Sequence, residues 1–402
     1  VALTVAEPAR GWKRLDGVDL LRGLAIFFVL MNHVNMRLLG AHVPYTRGLP
    51  PQLVSSLVWN GQYGVQIFFV VSGFLITSTT LRRWGSIAEV NVRDFYRLRF
   101  ARIAPLFLLL LGTLSVLDLT HVPGFVVSAK TGGLGRALFA ALTVHINVLE
   151  ARRGYLPAGW DILWSLSVEE MFYLFFPLVC RMFRRVRLLL IPLCVFVVLG
   201  PFARLHAFNP NPVWREYSYL GGMDAIALGC LTALLCARAS LSRVLLRVGG
   251  VAGTLLLVFI LGFSNLAYRW GLGQSGLDMT ILALGACLVV VTVAQTGWRT
   301  PRVVWPLVRV GRLSYEIYLT HIFVVVGLFD VFLAANKPMR AVPALFLVVV
   351  LLAGLLGVVV SRGYSEPMNR WLRRRWGEGP TRLGSVIEDD EGMVEAENAA
   401  SR

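Results

Sequence analysis

The chain has 402 residues, 56% of them hydrophobic and only 15% charged, whereas soluble domains carry about 25% charged residues; this composition excludes a water-soluble globular protein of that length. The net charge of +16 is overwhelmingly arginine. In a soluble chain it would suggest nucleic acid, but arginine gathers at the cytoplasmic ends of membrane helices, so no nucleic-acid partner is expected.

Crossing a bilayer takes about 20 apolar residues. Ten such runs begin near Leu20, Val65, Ile103, Ile162, Leu188, Leu220, Val251, Met279, Leu313 and Ala344. In lipid a single segment satisfies its backbone only as a helix. The expected fold is therefore all-α, a polytopic transmembrane bundle of about ten membrane helices. The first run follows a polar leader and carries internal charge, unlike a signal-peptide core, so it is read as the first membrane helix.

Loop charges set the topology. Arg10, Lys13 and Arg14 lie in a leader (1–14) placed on the cytoplasmic side. Later clusters follow the second, fourth, sixth and eighth helices: Arg82 to Arg102, Arg181 to Arg187, Arg238 to Arg247, and Arg299 to Arg312. A last group, Arg370 to Arg375, ends the membrane domain (15–376). Ten helices alternate consistently with these clusters and leave both termini cytoplasmic. Residues 134–150 are apolar enough to suggest another span, but a span there would invert the cluster at Arg181 to Arg187. They are read as a partly buried or re-entrant piece on the outer side. Residues 377–402, with Glu388, Asp389, Asp390 and Glu391, are expected to form a disordered acidic cytoplasmic tail. The five cysteines lie in or beside apolar runs without a CxxC pair, and read as small buried residues. The six histidines show no metal-ligand spacing, so no metal is expected.

Ionisable groups inside membrane helices are costly and point to function. The first helix holds Arg22 and His33, eleven residues or about 16 Å apart and close to three turns, hence on nearly one face. That face should line a polar crevice with His33 near the midplane. The structural alternative has Arg22 snorkelling to the surface and His33 as a satisfied packing residue. In the fourth helix Ser165, Glu169 and Tyr173 form a stripe spaced by four, with Glu170 about 100° away. In the ninth, Ser314, Tyr318 and His321 follow an i, i+4, i+7 pattern, with His321 either catalytic or a hydrogen-bonded structural residue. Asp224 and Glu366 are expected to pair with arginines, as buried charges do. Arg97, Arg99 and Arg102 make a compact positive cluster at the membrane surface. Guanidinium forks suit phosphate, and a plain positive-inside anchor would read the same way.

Several of these stretches, in order, resemble the acyltransferase-3 family of integral membrane acyltransferases. They are Leu15-Asp16-Gly17, then Leu21-Arg22-Gly23-Leu24-Ala25 with His33, and Gly64-Val65-Gln66-Ile67-Phe68-Phe69-Val70-Val71-Ser72-Gly73-Phe74-Leu75-Ile76. Arg99-x-x-Arg102 follows, then Trp164-Ser165-Leu166-Ser167-Val168-Glu169-Glu170 with Phe172-Tyr173. Leu313-Ser314-Tyr315 with Tyr318-Leu319 and His321, and Glu366-Pro367, complete the set. The resemblance runs from about Leu15 to Arg375. Gln66 stands where many members carry an acidic residue, and the Asp16–Arg22 spacing is looser than usual, so Asp19 is a candidate for that aspartate's role.

The resemblance implies an O-acyltransferase, O-acetyltransferase-like, in a bacterial cytoplasmic (inner) membrane. It implies acyl-CoA, often acetyl-CoA, as co-substrate, with no tightly bound cofactor. The acceptor is a hydroxyl of a cell-envelope carbohydrate such as lipopolysaccharide, or of a glycosylated, macrolide-like small molecule. No stretch corresponds to the extracytoplasmic hydrolase-like domain of some members, so the acceptor step is expected within the membrane domain. Arg97, Arg99 and Arg102 would take the donor's phosphates, and Arg22 would guide the thioester. His33 would act as general base or accept the acyl group itself, with Glu169 orienting the imidazole. Ser165, Tyr173, Ser314, Tyr318 and His321 would support the acceptor, and Tyr155 and Trp160 would stack on a sugar ring. A transporter or flippase of glycan intermediates would also place ionisable residues at the midplane, but no internal repeat is evident.

Overall fold

The computed structural model describes residues 14–377. All but the last residue of the expected leader, and all but the first of the acidic tail, lie outside them. Among the described residues every element is helical. Ten helices are long and apolar enough to cross a membrane: α1 (Asp16–Gly40), α2 (Pro51–Trp84), α3 (Val92–Leu119), α4 (Ala158–Met182), α5 (Val186–Arg204), α6 (Pro212–Arg238), α7 (Arg243–Gly262), α8 (Leu277–Thr296), α9 (Ser314–Ala334) and α10 (Met339–Arg375). Their number and positions are those expected from the apolar runs.

The sequence sets the ends of several helices. Asn91 caps α3 by accepting from the Asp94 N–H at 3.1 Å, and Ser242 caps α7 through Leu245 N–H at 3.3 Å; such caps satisfy donors that a helix start leaves open. Residues 134–150 do not cross. They form parts of two short helices, Gly133–Leu142 and Ile146–Arg153, the first about 15 Å long and so half a bilayer. Ala137, Ala140, Ile146 and Asn147 are fully buried, so the pair is tucked into the bundle, as a partly buried piece should be.

α2 and α6 are innermost, while α5, α7 and α10 are peripheral. On α10 the stripe Leu347, Leu351, Leu355 and Val359 is exposed, which is a lipid-facing row at one-turn spacing. The central pair meets backbone to backbone. A Cβ on Gly73 would lie 2.0 Å from Ile226 O, and one on Gly229 would lie 2.1 Å from Val70 O. Small residues of this kind let membrane helices approach closely. Gly73→Ala must spread the crossing, and is expected to cost about 1–3 kcal/mol, read as a lowered melting temperature of the purified protein.

Asp224 pairs with an arginine as expected. Arg204 Nη2 lies 2.7 Å from its Oδ2, while Thr280 Oγ1 donates to that oxygen at 2.7 Å and Gln66 Nε2 donates to Oδ1 at 3.1 Å. Gln66 thus serves a buried ion pair with a neutral donor. Glu366 does not follow the expectation. It is exposed and accepts from Ser361 Oγ at 3.2 Å, with no ion pair among the described residues. It follows a π-helical turn at Ser361–Ser365, which shifts the helical register just before it.

Successive spans alternate in direction, so even-numbered helices end, and odd-numbered ones begin, at one face of the membrane. The arginine clusters from Arg82 to Arg102, Arg181 to Arg187, Arg238 to Arg247, Arg299 to Arg312 and Arg370 to Arg375 all lie at that face. α1 and α9 run the same way, which brings Ser314 beside Arg22 and His321 beside His33.

Candidate active site

A cavity of about 380 Å³ runs inward from the Arg-rich face between α1, α2, α3, α4, α9 and the end of α10. It is long and narrow: the lining residues Val65 and Trp84 of α2 are 19 positions apart, about 28 Å. Five arginines line it (Arg22, Arg83, Arg99, Arg102 and Arg373) against one carboxylate, Glu169. Toward its far end the lining turns neutral, with Val65, Phe68, Ser165, Tyr318 and Leu319.

Arg99 and Arg102 share a face because they are three apart on α3. The Arg99 guanidinium sits 3.3 Å from the centre of the Tyr173 ring and 3.6 Å from both Glu169 and Glu170. Ser72 and Tyr173 hydroxyls donate to Glu169. Arg102 reaches Glu316 at 3.2 Å and lies over the Tyr315 ring. The Glu316 carboxylate is only 1% exposed and also accepts from Ser365 Oγ at 2.9 Å. Arg22 donates to Ser314 Oγ at 3.0 Å and pairs with Asp19. At the far end Ser165 and Tyr318 hydroxyls meet at 2.6 Å, and Tyr318 also donates to Ile162 O at 2.9 Å.

One turn beyond Val29 and Tyr318 stand two imidazoles. His33 and His321 pack edge to face with centroids 4.8 Å apart. His33 Nδ1 is 2.8 Å from Val29 O, and His321 Nδ1 is 2.7 Å from Tyr318 O. A carbonyl only accepts, so each Nδ1 carries the proton and each Nε2 presents a lone pair. Among the described residues neither Nε2 has a hydrogen-bond partner. His33 is half-buried, while the His321 Nε2 is fully enclosed.

A family model described as an acyltransferase domain matches residues 15–361. The chain belongs to the acyltransferase-3 family. Relatives include O-acetyltransferase OatA of Staphylococcus aureus strain NCTC 8325 / PS 47, which is 22% identical over 372 residues, covering 89% of this chain and 57% of the relative. Peptidoglycan O-acetyltransferase OatA of Listeria monocytogenes serovar 1/2a strain EGD-e is 26% identical over 333 residues, covering 77% and 49%. The chain thus spans about half the length of these relatives. No solved structure matches it.

In this acyltransferase-3 chain the structure gathers Arg22, Arg99, Arg102, Ser165, Glu169, Tyr173, Ser314 and Tyr318 around one cavity. Arg97 is not among its lining residues. Two positions from Arg99 on a helix is about 200° away, and Arg97 pairs instead with Asp94 at 3.7 Å. Arg22 and His33 do not share one crevice. They face the same partner helix, but their 16 Å separation puts His33 beyond the cavity's far end. Glu169 makes no contact with His33; it belongs to the Arg99 cluster. Trp160 is fully buried, so no sugar can stack on it, whereas Tyr155 is exposed and lies edge-to-face on Tyr217. Sequence reading gave Ser72, Arg83, Tyr315, Glu316 and Arg373 no role in the site. A carboxylate inside a membrane helix was the available signal for Glu316; the two arginines looked like ordinary surface anchors.

On the opposite face Glu150 is fully buried, accepting from Leu156 N–H at 3.0 Å. Burial, with the Asp161 carboxylate nearby, pushes its carboxyl well above the usual range. The unfolded chain ionises this group first, so its contribution to stability is lost as pH rises from the ordinary glutamate value toward the raised one. Glu150→Gln is expected to melt higher than the parent near pH 8 and to match it near pH 4, checked by thermal unfolding at both pH values.

Proposed function

We propose that this chain is a membrane O-acyltransferase that takes an acyl group, in the simplest case acetyl, from acyl-CoA at the Arg-rich face. It passes the group to a hydroxyl of a cell-envelope glycan at the opposite face. By the charge rule the Arg-rich face is the cytoplasmic one, and the membrane is the bacterial cytoplasmic membrane. The observation carrying the reading is the 28 Å cavity, cationic at one end and neutral at the other, that stops one turn short of a lone-pair-bearing imidazole. That shape suits a donor with a phosphate-rich head and a long uncharged arm ending in a thioester. The name of the Listeria relative favours a peptidoglycan-type glycan over lipopolysaccharide or a macrolide as acceptor.

In the reaction His33 Nε2 takes the proton of the acceptor hydroxyl as its oxygen bonds to the thioester carbonyl carbon. The C–S bond then breaks, and the proton passes to the departing thiolate. Val29 O holds the tautomer that makes this possible. The Ser165–Tyr318 bond closes the neutral end, so the thioester must pass it. Arg22, Arg99 and Arg102 hold the head at the Arg-rich face. The test is reconstitution in lipid with labelled acetyl-CoA and a glycan, followed by mass spectrometry of the glycan. A gain of one acetyl group that depends on this protein supports the reading, and no gain over protein-free vesicles ends it. Tyr318→Phe is expected to change the rate constant for transfer about fivefold, the equivalent of a hydrogen bond of ~1 kcal/mol, with donor binding unchanged.

A further inference from the structure

A second cavity of about 530 Å³ lies at the face opposite the arginines. Its walls are the start of α2 with the loop before it, and the short helix Ser264–Arg269 that follows α7. None of its lining residues is charged, in contrast to the arginine cavity. Trp59 and Tyr268 line it and remain 51% and 58% exposed, so flat ring surface is available. Thr46, Ser264 and Asn265 add hydroxyl and amide groups. For the hydroxyls of Thr46, Ser264 and Tyr268, the indole N–H of Trp59 and the amide oxygen of Asn265, no partner occurs among the described residues.

The walls are tied together. Asn60 Nδ2 donates to Leu261 O at 2.8 Å, Gln52 donates to Gly262 O, and Asn265 Nδ2 donates to Ser55 Oγ at 3.3 Å. Such cross-ties fix a site before a ligand arrives. Aromatic rings at a membrane interface often serve only as anchors; here Trp59 and Tyr268 line one cleft together with Thr46, Ser264 and Asn265. The cleft also lies beside the helix that bears His33. Asn35 Nδ2 donates to Val58 O at 3.3 Å, and a Cβ on Gly61 would lie 2.6 Å from Asn32 Cβ. The segment bearing Trp59 therefore packs on the turn of α1 that bears His33.

We propose that this cleft is a carbohydrate subsite, which holds a sugar unit of an oligomeric neutral acceptor other than the unit being acylated. Stacking on Trp59 and Tyr268 supplies contact area, and the unpartnered hydroxyl, amide and indole groups supply orientation. The inference rests on the reading of the chain as a glycan acyltransferase, and it gives that reading a preference for chains over single sugars.

The test uses the full-length protein in lipid nanodiscs. Calorimetric titration compares a β-1,4-linked N-acetylhexosamine tetrasaccharide with its monosaccharide. The expected result is tetrasaccharide binding at least about tenfold tighter than monosaccharide binding. It should weaken by about tenfold in Trp59→Leu/Tyr268→Leu, while acetyl-CoA binding is unchanged. Leucine keeps an apolar membrane anchor but removes the flat ring, so a pure anchoring role would leave binding intact. Tyr268→Leu alone serves if the double variant melts early. No tetrasaccharide binding by the parent, or equal binding by parent and variant, overturns the subsite. Ring-dependent binding without acetyl transfer would keep the subsite and discard the acyltransferase reading. Transfer with the same KM for the tetrasaccharide in both proteins would keep the enzyme and discard the subsite.

Discussion

His33→Ala is expected to lower acetyl transfer by about 10²- to 10⁴-fold, the usual contribution of a positioned general base, while the melting temperature and acetyl-CoA affinity stay close to those of the parent. The imidazole is half-buried and makes one hydrogen bond, to Val29 O, so its loss leaves little behind to destabilise. What is lost is the Nε2 lone pair beside the end of the donor cavity. His33→Gln can keep a bond to Val29 O but is not a base at neutral pH, so it should be as inactive as alanine. Parent-like turnover of either variant would return His33 to a packing role. Label retained on the parent without acceptor, and absent from both variants, would make His33 the acyl carrier rather than the base.

Arg102→Ala should show two separable losses. Glu316 is 1% exposed, and its partners are Arg102 of α3 and Ser365 of α10; without the guanidinium its charge is stranded where three helices meet. Breaking a fully buried pair costs about 3–5 kcal/mol. Arg102 is about a third exposed, so about 2–3 kcal/mol is expected here, read as a lowered melting temperature. Adding Glu316→Gln should restore most of that stability, because the stranded charge is gone. Donor binding should not return: a guanidinium–phosphate contact is worth roughly 1.5–3 kcal/mol, so the double variant should bind acetyl-CoA about tenfold or more weakly. Recovery of both properties together would make Arg102 a structural and topological residue only.

The ten spans were legible because each is one long apolar run, and lipid leaves the backbone no alternative to a helix. Residues within one helix were placed well: Ser165, Glu169 and Tyr173 do form a stripe toward the cavity. Contacts between helices were harder. Periodicity gave the common face of Arg22 and His33, but not that Tyr318 and Leu319 of α9 close the cavity between their levels. The family resemblance implied His33 as the partner of Glu169, whereas the approach of α3 to α4 gives it Arg99, the arginine pairing that two adjacent carboxylates in an apolar helix call for. Arg97, adjacent in sequence to the cavity arginines, points elsewhere because helical phase outranks proximity. The neutral cleft near Trp59 left no trace in the sequence, since its walls come from segments about 200 residues apart.

The arginine-lined entrance and the neutral inner end have an energetic corollary for transport across the bilayer. On the proposed reading, the anionic nucleotide stays anchored at its own surface, and only an uncharged carbonyl fragment travels onward. No net electrical work is then done against the membrane voltage. Thioester cleavage alone would set the direction, so collapsing the ion gradients with an ionophore should leave the flux of acetyl groups untouched.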